Sequence, residues 1–509
     1  MKKIIVALSA SLSSYIIAQT EGDNLFNTPV IHTVKIFFTQ PNWYDSLIYY
    51  KPLDIKMKGD VEIDGTYIPN VGIQFKGNSS FNNPSQKKSW KIDFNEFVSG
   101  QKYDGLKVIN LNNGFKDPTF LREKLALDFC NRNGIPAPRC TYANVYVNNQ
   151  LWGFYMLVEQ VNTTFLKRWF NENNGNLFKG DPQGTLQWYG SNPSSYYTKY
   201  ELKTNETIND WTDLVHLIDI INNKPSSQFY DSLESIMTTS LTIKSWAFNI
   251  LFANLDSYQG SGHNYYIYHD LFYNKFGWIT WDVNEAFGNF NQGMSISQLE
   301  NLDIFYIPSP SNNRPLTYKM LQNNTYKQQY IQELCNFLSG DFDTSYLYHQ
   351  IDSLVPIIRP YVYADTKKFY TNTDFENNIN NNLSTGGNPP FNIPGLKSFI
   401  LNRRNIVQSQ LAANGCLLNI NEQLSDNLFA VFPVPADEYF TIYSPDTKSN
   451  TNIIVEINDI TGKTIYKNSI KSFQNLKITT KNWNSGIYFI FVKTSDNILL
   501  DTHKILIAH

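Results

Sequence analysis

Residues 241–288 read LTIKSWAFNILFANLD, SYQGSGHNYYIYHD and LFYNKFGWITWDVNEAFG in succession, and the rest of the chain is organised around them. In the first block Ile243, Trp246, Ala247, Ile250 and Leu251 fall at i, i+3, i+4, i+7 and i+8, the stripe of a helix buried along one side. Asn254 ends the stripe, so Asp256 falls just past the helix in a loop made pliable by Gly260 and Gly262. Two runs rich in β-formers follow, Tyr265–Tyr268 and Phe276–Trp281, separated by a polar loop around Asn274. A hairpin centred on Tyr273 sets Asn264 opposite Asp282 at its open end and leaves Asp256 nearby. Two carboxylates and a carboxamide converging from separate elements suit a hard divalent cation such as Mg²⁺. The same residues equally fit an acidic helix cap followed by a hairpin end.

The chain has 509 residues, room for two or three domains and a sizeable core. A net charge of −3 gives no field that would favour nucleic acid or a membrane surface, so neither is expected as a partner. Aromatic content of 15% with only 17% charged residues suits an exported, β-rich protein. Met1-Lys2-Lys3 followed by IIVALSASLSSYIIA is a basic segment and a short, serine-interrupted apolar one. That pattern predicts a signal peptide over 1–18 rather than a membrane anchor, and no other run is long enough to span a bilayer. Of four cysteines, Cys130 and Cys140 flank a short loop, which favours a disulfide between them. No Cys/His spacing suggests zinc.

From Ile31 to about Val108 the pattern is mostly strand, with an Asp64-Gly65 hairpin turn. Gly77, Asn78, Ser79 and Ser80 form a small-residue loop between two strands, either an ordinary turn or a loop whose N–H groups wrap an anion such as phosphate. Lys91, in the strand SWKIDF, is either a solvated alternation position or a lysine reaching for nucleotide phosphates. The second role requires a carboxylate partner. The next helix supplies Glu123, off the stripe of Leu121, Leu125 and Phe129, with Asp117-Pro118 as its start and Gly134 as its stop. A Glu near a helix N-terminus is also favoured by the dipole alone. Two strands joined by Asn148-Asn149 end at Glu159, and a helix over about 162–171 follows. The 181–240 segment reads as an insertion or lid, 315–415 as several helices, and the Asn/Gly/Pro-rich stretch NNINNNLSTGGNPPFNIPG as mobile surface. From Phe429 onward six short alternating strands predict a small all-β sandwich.

Taken together, VGIQFKGNSSF, KKSWKIDF, LREKLALDFCNRNGIPAP, LWGFYMLVEQVNTTFLKRWF, GNLFKGD, NLDSYQGSGHNYYIYHD and WITWDVNEAFG resemble the CotH family of atypical, spore-coat-type protein kinases, over about residues 30–411. The resemblance implies an α+β, two-lobed kinase-like domain over 19–420. Its β-rich lobe would span about 30–160 and its mainly helical lobe about 161–415. It implies ATP bound through Lys91, Glu123, Glu159 and the Gly77, Asn78, Ser79 loop, with Asp256 and Asp282 catalytic. Asp282, Asn264 and Asp256 would hold Mg²⁺, with Mn²⁺ or Ca²⁺ as alternatives. The phosphoacceptor implied is Ser or Thr of an exported protein substrate. One departure stands out: where the family commonly has a second acidic residue after the WD step, this chain has Asn284, and one charge fewer weakens metal affinity.

VFPVPADEYFTIY, INDITGKTIY, LKITTKNWNSGIYFIFV and HKILI resemble the sorting domain of the type IX secretion system, placed at 427–509, with Val434 in place of the usual Asn. That resemblance implies the secretion machinery as partner and an extracellular or cell-surface destination. The alternative to a kinase is a catalytically weak or inactive surface binder, adhesin-like, on the same scaffold. Carbohydrate binding rests on composition alone.

Overall fold

The computed structural model describes residues 20–416 apart from 29 and 387–390, and most of 429–508, with breaks at 433–435, 444–451, 460–461, 472–474 and 495–498. The expected signal peptide lies outside the described residues. Two compact units result, 1–417 and 418–509.

In the first unit seven strands close into a barrel. They are β1 (Ile31–Phe37), β2 (Met57–Ile63), β3 (Thr66–Lys76), β4 (Ser89–Asp93), β5 (Val108–Asn112), β6 (Cys140–Val147) and β7 (Gln150–Glu159), in the order β1-β2-β3-β4-β5-β7-β6. Two of its hairpins follow directly from the sequence. Asp64 and Gly65 (φ 48° and 85°) join β2 to β3, and Asn148 and Asn149 (φ 48° and 65°) join β6 to β7, residue types that tolerate the left-handed turn. Closure depends on β1 pairing parallel with β6, Val34 opposite Val145, across more than a hundred residues. The strands of the expected β-rich region thus form a closed barrel, filled by Val61, Ile73, Phe75, Trp90, Ile92, Ile109 and Leu111. Alternation along β3, β4 and β5 sends Lys76, Lys91 and Asn112 to the outside of that barrel.

Beyond the barrel lies a four-stranded antiparallel sheet in the order β11-β10-β8-β9, made of β8 (Leu177–Gly180), β9 (Tyr200–Leu202), β10 (Tyr265–Asp270) and β11 (Lys275–Thr280). Helices Pro315–Gln322, Asn324–Ser339, Thr344–Ala364, Asn372–Asn380 and Leu396–Ala412 complete the unit. The Asn-rich stretch expected as mobile surface instead contains the end of a capped helix and a small hairpin, Leu383–Thr385 with Phe391–Ile393. Buried Arg122 anchors this region, donating to Asn378 Oδ1 and the Pro394 carbonyl.

Two ion pairs are buried in this unit, one between the barrel side and a helix end and one within the turn that starts the helix at Arg122. Lys87 and Asp365, both essentially without solvent exposure, meet at 2.6 Å, and Asp365 also accepts from the Phe154 N–H. Arg122 meets Asp117 at 2.8 Å, equally buried. Asp117 does not start the helix as expected. Its carboxylate closes a turn on Thr119 and accepts from the Arg122 N–H, so the helix runs over Arg122–Arg132. The expected disulfide is also revised: Cys130 and Cys140 are buried and free, while Cys335 is bonded to Cys416, whose Cα atoms lie 6.4 Å apart.

The second unit is all-β. A three-stranded sheet (Ala430–Phe432, Tyr439–Tyr443, Asn475–Thr479) and a four-stranded one (Asn452–Asp459, Thr464–Lys471, Gly486–Thr494, Leu499–Ile507) share a core. Phe440, Ile442 and Ile478 from the first pack with Val455, Ile457, Ile490 and Ile505 from the second.

Candidate active site

The helix that introduces the site runs over Thr239–Leu251 and buries the whole predicted stripe, Ile243, Trp246, Ala247, Ile250 and Leu251. Trp246 stacks on Tyr330 at 3.9 Å between ring centres, and Ser245 Oγ lies 2.7 Å from Thr280 Oγ1 in β11. At its end, fully buried Arg403 binds four carbonyls: those of Ile250, Leu251, Glu300 and Leu302. Four carbonyls of a helix end and its neighbour are thus satisfied by one guanidinium. A second one, Arg314, donates to the carbonyls of Tyr258 and Gly260 and holds the following loop. Gly260 serves close packing rather than pliability, because a Cβ there would lie 1.8 Å from the Leu255 carbonyl oxygen.

This support fixes Asp256, which is 9% exposed. Its Oδ1 accepts from Ser261 Oγ (3.1 Å) and faces His263 Nε2 (3.1 Å), and its Oδ2 accepts from Asn264 Nδ2 (3.0 Å). Asn264 donates also to the Asp256 carbonyl, 2.9 Å. Burial opposes the charge on His263, but the Asp256 carboxylate outweighs it and raises the imidazole pKa.

The hairpin register differs by one residue from the expected one. Tyr265 pairs with Thr280 and Asp270 with Lys275, so the axis lies between Phe272 and Tyr273, and Asn264 does not face Asp282 across the ladder. The two still turn toward Asp256, because both leave the strands in the left-handed region, Asn264 at φ 59° and Asp282 at φ 52°. Such conformations cost energy in non-glycine residues and gather at functional sites. Asp282 is half-buried. Burial raises its pKa, the nearby Asp256 charge adds to this, and Lys76 and Lys179 oppose it.

Glu123, buried and on the first turn of its helix, takes both Asn112 Nδ2 contacts (2.8 and 3.0 Å), while Asn112 Oδ1 accepts from Lys76 Nζ at 3.0 Å. The lysine held against Glu123 is therefore Lys76, at the end of β3 immediately before the Gly77 loop, and not Lys91. Lys91 sits on β4 opposite Gln74 and Asn110, one row farther along the sheet, among Lys56, Lys203, Asp93 and Asp54. Burial lowers the Lys76 pKa to about 8 and raises that of Glu123 to about 8, with Asp282 in the field of both. Nothing in the sequence separates Lys76 from Lys91; the Asn112 bridge arises only when β5 is placed.

Of the remaining expected residues, Gly77 (φ 92°) turns the chain, and exposed Asn78 and Ser79 lead a single helical turn, Ser79–Asn82. Glu159 lies at the end of β7. Its buried carboxylate is taken up by Arg139 (2.7 Å) and Arg168 (2.7 Å), which makes it a fastener where β7 leaves the barrel. Asn284 makes no described hydrogen bond. Its neighbour Glu285 is buried and paired with Lys116 at 2.9 Å, and burial pushes its pKa up to about 7 with Asp256 and Asp282 nearby.

Among the described residues no three or more His, Cys, Asp or Glu side chains form a closed metal cage. The donors present nonetheless fit Mg²⁺, which keeps waters and substrate phosphates among its ligands and needs only one or two carboxylates. None of the described hydrogen bonds ends on Asp282, so a raised, half-buried carboxylate is left with open oxygens beside Asp256. Asn264, whose NH₂ is used by Asp256, keeps a carboxamide oxygen with lone pairs to offer.

Asp282, without a described hydrogen bond, and Asp256, held by Ser261, His263 and Asn264, thus stand in one polar cluster with Lys76 and the bridged Glu123. Residues 73–407 match the model of the CotH kinase protein family, about two thirds of the sequence, and the chain belongs to that family. It is 26% identical over 303 residues to the inner spore coat protein H of Bacillus subtilis (strain 168), covering 59% of this chain and 79% of that protein. Residues 430–508 match a secretion system C-terminal sorting domain. The chain is accordingly a type IX-type exported protein, secreted or displayed at the cell surface. No described helix is long and apolar enough to cross a membrane. A solved DUF3244 family protein from Bacteroides vulgatus with an immunoglobulin-like β-sandwich fold aligns with 17% of this chain and 90% of its own, at 18% identity; its TM-score of 0.15 is too low to bear on the fold.

Proposed function

We propose that this protein is an Mg²⁺-dependent kinase with a two-lobed, kinase-like division of labour, transferring the terminal phosphate of ATP to a serine or threonine of an exported or surface protein. The observation that carries the proposal is the convergence of Lys76, Glu123, Asp256, Asn264 and Asp282, drawn from five separate elements into one electrostatic cluster. In this reading Lys76 takes the phosphate-binding role expected of Lys91, and Glu123 positions it through Asn112. Gly77, Asn78 and Ser79 flank the phosphates, and Asp256, Asn264 and Asp282 would hold the metal. When bound, Mg²⁺ neutralises charge on the phosphate oxygens.

The acceptor hydroxyl oxygen forms a bond to the terminal phosphorus as the bond to the ADP oxygen breaks. Asp256 accepts the hydroxyl proton, and ADP leaves. Ser261, His263 and Asn264 fix the direction of that carboxylate, so little reorganisation is needed at the moment of transfer. Labelled-phosphate transfer from ATP by the purified chain, self-labelling included, tests the reading. Label that persists unchanged in Asp256→Ala and Asp282→Ala overturns it.

Asn284 favours a second reading, a surface-binding protein that does not turn over nucleotide. A protein of that kind gains no Mg²⁺-dependent thermal stability from ATP, whereas a nucleotide site at a hundred times Kd gains about 2.7 kcal/mol.

A further inference from the structure

Lys179 has no part in the site as drawn above, yet its field reaches Asp282 and Lys76. It lies on β8, opposite Tyr266 of β10 and Glu201 of β9, with its ammonium bonded to Asp181. The Tyr266 ring meets the Trp281 ring edge-on at 5.8 Å, and Lys76 Nζ stands 5.3 Å from the centre of that same indole. Trp281 and Tyr266 thus lead from the Lys76 ammonium to the strand partner of Lys179, and the residue after Trp281 in the chain is Asp282. Lys76 approaches from the barrel and Lys179 from the sheet.

Resting on the reading of this cluster as an ATP site, we propose that Lys179 holds the terminal phosphate, opposite Lys76, so that the polyphosphate bridges barrel and sheet. The terminal phosphate is assigned to Lys179 because β8 belongs to the sheet whose hairpin presents Asn264 and Asp282 beside the Asp256 loop. The transferring end of the nucleotide must face that loop. Asp181 keeps the ammonium directed and its charge compensated until a phosphate oxygen shares it. A chain of net charge −3 attracts polyphosphate through such local pairs of cations rather than through its overall field.

The experiment is a thermal-shift titration of the full chain with MgATP and with MgADP, on wild type, Lys179→Met, Lys179→Arg, Asp181→Asn and Lys91→Met. Wild type binds ATP more tightly than ADP. Lys179→Met weakens ATP by about tenfold or more, the loss of one charge-assisted contact, and leaves ADP unchanged. Lys179→Arg keeps most of the preference, Asp181→Asn strengthens ATP binding, and Lys91→Met leaves the ATP-to-ADP ratio as it was. Should Lys179→Met fail to fold, the Asp181→Asn and Lys179→Arg results decide. Equal loss of ATP and ADP affinity, or no loss of either in a wild type that binds both, overturns the role of Lys179 alone. A wild type stabilised by neither nucleotide overturns the ATP site and this inference together.

Discussion

Replacing Asp365 by Ala removes the partner of a lysine with no exposure to solvent. Lys87 Nζ then retains one hydrogen bond, to the Phe154 carbonyl at 2.7 Å, beside the rings of Phe120 and Tyr155, and the Phe154 and Lys367 N–H groups lose the carboxylate that accepted them at 3.0 and 2.9 Å. Removing one member of a buried pair strands the other, at a cost of about 3–5 kcal/mol. Solvent screening gives no relief, since both side chains are at most 1% exposed. An unfolding entropy of about 2.1 cal/mol/K per residue gives roughly 0.8 kcal/mol/K for a unit of some 400 residues, so a loss of ~4 kcal/mol lowers its Tm by about 5 °C. Calorimetry of the wild type, Asp365→Ala, Lys87→Met and the double variant measures this. The double variant should cost about as much as the larger single one, because it leaves no orphaned charge. Two single losses that simply add, or an Asp365→Ala shift below about 1 °C, would refute the assignment of this pair as a buried fastener.

Lys76→Met should abolish phosphate transfer while Lys91→Met retains at least half, read by labelled-phosphate incorporation. Burial holds the folded Glu123 pKa above its ordinary value, so the folded state binds the extra proton. Stability of the nucleotide-free chain should then fall as pH rises from about 4.5 through about 8, and Glu123→Gln should flatten that slope in Tm-versus-pH scans. The lowered Lys76 pKa acts in the other direction only above about 8. Thiol titration should find two groups, Cys130 and Cys140, reactive only in denaturant, and non-reducing peptide mapping should recover Cys335 joined to Cys416. Arg314→Ala should lower kcat for the proposed transfer at least tenfold, since it frees the Tyr258 and Gly260 carbonyls that fix the Asp256 loop, and a rate within twofold of wild type would count against that clamp.

What could be read directly was local. The stripe of the helix before Asp256, the two left-handed hairpin turns and the strands of the second unit follow from period and turn chemistry. Barrel closure did not, because β1 meets β6 through a parallel pairing with no local signal. Lys76 and Lys91 are indistinguishable as alternating strand residues until Asn112 lies beside one of them. The surroundings of Glu159 were not legible either, because acidic character at a strand end says nothing of the two arginines, Arg139 and Arg168, that pair with it. The hairpin was misplaced by one residue, and what brings Asn264 and Asp282 near Asp256 is the left-handed backbone at both positions, which period and turn chemistry do not reveal.

Arg403 belongs to the last helix of its unit, Leu396–Ala412, yet it grips the end of the segment that carries Asp256. A chain emerging in order of synthesis therefore carries every proposed catalytic side chain well before it can hold them in place. The helix end ahead of Asp256 thus receives its guanidinium from a residue 152 positions farther along the chain, so the support of this segment is complete only once the last helix of the unit is in place.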